Sequence, residues 1–167
     1  MESNSTYYKT PIGFAEIIGD KNGIQSIALL DNSTNDQGLE KFDLPQDIPE
    51  CLQECALQLK EYFKGERTKF DLLLNPQGTS FQKLVWKELC NIPFGKTRSY
   101  LAQSKLIGDP KAVRAVASAN GKNPIWIVVP CHRVIGSDGS LTGYAGGLWR
   151  KKWLLDHESP VKQQSLF

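Results

Sequence analysis

A chain of 167 residues, 40% hydrophobic and 23% charged, has enough apolar material for one sizeable core or two small ones. No apolar run approaches the ~20 residues that cross a bilayer, and the start, MESNSTYYKT, lacks the basic and apolar regions of a secretory signal. A cytoplasmic chain without membrane attachment is the expectation. The net charge of +2 is segregated, with 7 Lys+Arg against 13 Asp+Glu in residues 1–79 and 13 against 5 in residues 80–167, so only the second half suits a polyanion.

The first half reads as strands followed by a helix. Gly13–Ile18 and Ile24–Leu30 are apolar segments joined through Asn22–Gly23, a hairpin dipeptide. Asp31–Gln46 is polar and without pattern, as loops are. Pro49 opens a helix in which Leu52, Cys55, Ala56, Leu59, Tyr62 and Phe63 recur at three and four residues before Gly65. Cys51 and Cys55 have no second cysteine pair or nearby histidine to complete a zinc site, so no metal is expected there. Asp71–Leu74 is a candidate short strand, and Asn75–Gly78 the boundary between domains 1–78 and 79–167.

The second half changes style. Thr79 and Gln82 form a capping box before Phe81, Leu84, Val85 and Leu89. Ser99 caps a short helix through Ile107, and Asp109–Pro110 signals a helix over Pro110–Asn120. Ile125–Val129 reads as a buried strand. Val134–Ile135 and Leu141–Tyr144, flanking Gly136–Ser140, read as a hairpin, and Trp149–His157 as a last helix. Two helices linked by a turn and followed by a hairpin are the layout of a winged helix-turn-helix. The second of those helices carries Ala112, Ala115, Ala117, Ser118 and Ala119 with one Arg114. Base reading in a major groove uses long polar side chains, whereas a slim helix suits close approach to backbone or minor groove.

Chemistry concentrates in Pro130-Cys-His-Arg-Val134. His132 exchanges a proton near neutral pH, Arg133 adds positive charge that favours thiolate at Cys131, and a thiolate attacks saturated carbon well. This segment resembles the active-site motif of the O6-alkylguanine-DNA alkyltransferases. Pro110-Lys-Ala-Val-Arg114 is similar to that family's recognition helix. Asn123-Pro124, Gly143-Tyr-Ala-Gly-Gly147 and Trp153-Leu-Leu-Asp-His-Glu158 follow at the family's spacing.

The resemblance implies an α+β protein, with a small N-terminal α/β, ribonuclease-H-like domain before a C-terminal winged helix-turn-helix. It implies a monomer that takes the alkyl group from O6-alkylguanine, and from O4-alkylthymine, in double-stranded DNA, once per molecule and without a cofactor. Cys131 would accept the alkyl group, His132 serve as its base through a water, Glu158 orient His132, and Asn123 brace the turn. Arg114 would fill the stack left by the flipped base, and Tyr100 give the guanine a proton. Ser137 would meet a phosphate, and Ala112 and Ser118 face DNA on the recognition helix. Tyr144, Ala145 and the Val134 carbonyl would line the pocket. Zinc ligands of some relatives have no counterpart, so no metal is implied. Trp126 is a further candidate for the pocket, bulky where a smaller residue is the family's habit, although strand alternation leaves either face open to its indole. A sequence-specific regulator or a Cys/His hydrolase fits parts of this pattern; the first predicts no covalent change, the second turnover of an ester or amide.

Overall fold

The hairpin signal at Asn22–Gly23 forms as read. In the computed structural model, which describes residues 3–31 and 44–160, strands β2 (Gly13–Asp20) and β3 (Gly23–Leu30) are antiparallel, with Asp20 opposite Gly23. Gly23 adopts φ +133°, and a Cβ there would stand 2.8 Å from the Leu73 carbonyl oxygen, so glycine is required twice over. A strand that the sequence reading missed, β1 (Asn4–Thr10), pairs antiparallel with β2. Its alternation is carried by Thr6, Tyr8 and Thr10, two of them polar, and apolar pattern alone does not show it. Asp71–Leu74 contributes a single bridge, Leu74 to Ile24, rather than a strand. Most of the loop expected over Asp31–Gln46 lies outside the described residues.

Helix α1 (Glu50–Phe63) lies against β1 and β2. No side chain caps its N-terminus, an omission worth about 1 kcal/mol. Leu52, Leu59 and Tyr62 are fully buried, and each such side chain gains roughly 2 kcal/mol, so packing outweighs the missing cap. The chain clusters into two compact units: Met1–Gln77 with Pro124–Trp126, and Gly78–Asn123 with Ile127–Phe167. The excursion of Pro124–Trp126 into the first unit is held by backbone hydrogen bonds in both directions, Ile27 N–H to Pro124 O at 2.9 Å and Trp126 N–H to Ile27 O at 3.0 Å.

The second unit is built on three helices, α2 (Ser80–Leu89), α3 (Tyr100–Ile107) and α4 (Val113–Gly121), each packed on the other two. The Thr79–Gln82 capping box is complete, and Ser99 caps α3 by accepting from the Ala102 amide. Two polar ties fix α4. The Trp86 indole donates to the Ala119 carbonyl at 2.8 Å, and the buried amides of Gln103 and Asn120 exchange hydrogen bonds at 3.1 and 2.9 Å.

Three expectations need correction here. The Asp109–Pro110 signal makes a turn, not a helix start: the Asp109 carboxylate accepts from the Lys111 amide two residues on, and α4 begins at Val113. Ile125–Val129 is not a strand. After one bridge, Ile125 to Ile27, the backbone swings at Ile127 to φ +73°, although Ile125, Ile127 and Val129 keep their alternate burial. Leu141–Tyr144 does not pair with Val134–Ile135. The Gly136–Ser140 turn closes on itself, through Gly136 N–H to Ser140 O and Gly139 N–H to Gly136 O, while Val134–Ile135 (β5) instead runs parallel to Arg98–Ser99 (β4). The carbonyls of Thr142 and Gly143 are taken by Lys151 of helix α5 (Leu148–Glu158), which leaves them unavailable to a ladder. Among the described residues no helix is long and apolar enough to cross a membrane.

Candidate active site

The left-handed backbone of Ile127 redirects the chain toward Pro130, and a 3-10 turn over Cys131–Arg133 follows. A β-branched residue at such a φ costs on the order of 1–2 kcal/mol, offset here because its side chain is buried. Asn123 holds the turn with one amide, which donates to the Val129 carbonyl at 2.8 Å and to Cys131 Sγ at 3.3 Å. Cys131 forms part of the wall of a cavity of about 460 Å³, together with Tyr100, Arg114, Thr142, Tyr144 and Ala145. The same Asn123 amide therefore ties the backbone of the turn to the Cys131 sulfur.

Glu158 gathers the two residues after Cys131. One carboxylate oxygen lies 2.7 Å from His132 Nε2 and 3.1 Å from an Arg133 terminal nitrogen, and the other accepts from Arg133 Nε at 2.7 Å. The remaining Arg133 terminal nitrogen donates to the Ile92 carbonyl at 2.7 Å. All three side chains are buried. Burial alone would raise the Glu158 pKa, but His132 and Arg133 hold it well below the usual carboxylate range. Burial also lowers the His132 pKa despite Glu158, so the resting pair is a carboxylate and a neutral imidazole. With Nε2–H given to Glu158, Nδ1 is left as the acceptor, and it has no hydrogen-bond partner among the described residues.

The expectation that Arg133 favours a thiolate at Cys131 is not met. Its guanidinium is committed to Glu158 and Ile92, and burial raises the Cys131 thiol above its ordinary value. What opposes burial is the Asn123 hydrogen bond and then the charge of Lys151, a residue that sequence reading passed over. The signal was present: Lys151, Leu154 and Glu158 stand at i, i+3 and i+7, one face of α5, and all three are buried. Tyr144 is held as a neutral phenol by burial and then by proximity to the Cys131 charge.

Other site residues fall into place unevenly. Arg114 is exposed and Tyr100 half-buried, and both are on the cavity wall. Ser118 is exposed on α4, Ala112 precedes that helix, and Ser137 is exposed in the Gly136–Ser140 turn; none of the three lines the cavity. Val134 is buried in β5 and is likewise not on the wall. Trp126 does not line it either: the indole belongs to a residue of the first unit, carried there by the bonds to Ile27.

A thiol on a cavity wall, with a buried imidazole–carboxylate pair at the next residue, equips a protein to work through a cysteine nucleophile. Residues 5–76 match the ribonuclease-like domain of 6-O-methylguanine DNA methyltransferase, and residues 80–160 match the DNA binding domain of that protein. The chain is 47% identical over 153 residues to the methylated-DNA–protein-cysteine methyltransferase of Methanosarcina barkeri, a match that spans 90% of this chain and 93% of the relative. It is 44% identical over 157 residues to that of Mycolicibacterium paratuberculosis, spanning 94% and 93%. The crystal structure of Mycobacterium tuberculosis OGT in complex with DNA superposes with a TM-score of 0.79 at 39% identity, covering all of both chains. The chain belongs to the methylated-DNA–protein-cysteine methyltransferase family.

Proposed function

We propose that this protein repairs DNA by moving the alkyl group of O6-alkylguanine, and of O4-alkylthymine, onto Cys131, once per molecule. The observation that carries the reading is the placement of Cys131 on the cavity wall, its sulfur held by Asn123, with the buried His132–Glu158 pair at the next residue. The Cys131 proton passes through a water to His132 Nδ1, and Glu158 stabilises the imidazolium that forms. The thiolate attacks the alkyl carbon; an S–C bond forms, the C–O6 bond breaks, and its electron pair goes to the guanine. Tyr100 supplies the proton the guanine then takes. Its phenol oxygen already accepts from the Thr142 hydroxyl at 3.1 Å, so its own O–H remains to donate. The product is a thioether, with no second thiol on the cavity wall to displace it. Intact mass tests the reading: incubation with O6-methylguanine duplex should add about 14 Da to Cys131. Turnover of an ester, or duplex binding with no mass change, would reject it.

The same reading makes the protein a cytoplasmic monomer that binds duplex DNA through the basic second half, with domains divided near residue 78 and Ala112, Ser118 and Ser137 facing the backbone. Arg114 would fill the stack vacated by the flipped base. Arg114→Ala should then slow repair of duplex by more than about tenfold, given unstacking costs of a few kcal/mol, and leave reaction with the free base nearly unchanged. Equal losses on both substrates would assign Arg114 to chemistry or folding. Trp126→Ala should leave the rate of inactivation by O6-benzylguanine unaltered, because the indole is not on the wall; a faster variant would restore Trp126 to the pocket.

A further inference from the structure

Helix α5 begins with two buried cations that both reach back to the loop before it. Lys151 Nζ donates to the Thr142 carbonyl at 2.7 Å and the Gly143 carbonyl at 3.3 Å, and Arg150 donates to the Gly146 carbonyl at 3.1 Å. Lys151 is fully buried yet makes no ion pair with a carboxylate among the described residues. A buried ammonium with only carbonyl partners is costly. Such a group is retained where its charge has work to do. The Tyr100 ring centroid is 5.8 Å from Nζ, and Tyr100, Thr142 and Gly143 all share the cavity with Cys131.

We propose that Lys151 is a positioning residue for the transfer reaction: it fastens the cavity wall at Thr142 and Gly143 and sets positive charge beside the Cys131 sulfur. This rests on the transfer reading given above. The ionisable groups facing it from the 3-10 turn are Cys131, whose charge favours the ammonium, and His132, whose ring it helps keep neutral. From α3 it faces the Tyr100 ring, and Tyr144 in the loop feels the same Cys131 charge. Burial brings the Lys151 pKa down to about 8, so the group is still cationic at neutral pH. Lys151 and Cys131 consequently titrate as a pair.

The test is the pH dependence of Cys131 carboxamidomethylation by iodoacetamide, in the native protein and in Lys151→Met and Lys151→Arg. Lys151→Met should move the midpoint up by about one unit, a tenfold slower reaction near pH 7, with rates converging at high pH; Lys151→Arg should restore most of the shift. An unchanged midpoint in a folded Lys151→Met protein would overturn the proposal. A second measurement needs no variant. In the native protein the Lys151 ammonium, followed by its side-chain nitrogen resonance, should titrate at lower pH once Cys131 is capped, because the thiolate no longer supports it. An unaltered Lys151 titration would equally overturn the proposal. Iodoacetamide reads the thiol whether or not methylated DNA is a substrate. Failure of the DNA reaction alone would therefore reject the function and not the role of Lys151.

Discussion

Cys131→Ser should show no mass gain after incubation with O6-methylguanine duplex, while still binding that duplex. An alcohol at neutral pH is far harder to ionise than a thiol, and its oxygen is a poor nucleophile toward saturated carbon. The substitution is nearly isosteric, and Asn123 can donate to a hydroxyl as it does to Sγ, so the turn should persist. The native protein should carry its single alkyl group on Cys131 and on none of Cys51, Cys55 or Cys90. Burial pushes the Cys55 thiol up to about 12 and raises that of Cys90, as it does at Cys131, but neither Cys55 nor Cys90 lines the cavity. A methyl group mapped to any cysteine but Cys131 would end the assignment.

Glu158→Gln should destabilise the fold by about 3 kcal/mol or more, the usual cost of stranding a buried charge. The stranded charge is Arg133, buried and bidentate on this carboxylate. Because the Glu158 pKa is depressed in the folded protein, its contribution is fully present above the ordinary carboxylate range. It is lost as pH falls through and below that range. Urea unfolding at pH 7 and pH 3 should therefore show a large native-to-variant gap that narrows in acid. A constant gap would mean that shape and not charge is what Glu158 supplies. Alkyl transfer by the folded variant should also slow by about a hundredfold, since the imidazolium loses its counter-charge.

Local signals were the easiest to read from sequence. The Thr79–Gln82 box, the Ser99 cap and the Asn22–Gly23 turn involve neighbours a few residues apart, and all three form. The Cys131 motif was legible for the same reason, since its thiol, imidazole and guanidinium are contiguous. Long-range commitments were hidden. Nothing near Arg133 in sequence says that Ile92 and Glu158 consume its donors. Lys151 was passed over because a helical lysine is by default a solvated charge; only its register with Glu158 marked it. For Trp126, alternation left either face open and said nothing of which unit the residue belongs to. The answer depended on two backbone bonds to a strand almost a hundred residues earlier.

The excursion of Pro124–Trp126 means that the compact units are not sequence segments. A protease nick in Asn75–Gly78 would yield two pieces, of which the first would not contain its whole unit and the second would carry three residues of the other. The first would lack the three residues that pair with Ile27, and the second would carry them stripped of that pairing. Expression of residues 79–167 alone therefore differs from removing a neighbour: it deletes part of the anchorage immediately upstream of Ile127 and the cysteine turn. Fragment complementation between two separately produced halves would have to rebuild that anchorage across a chain break.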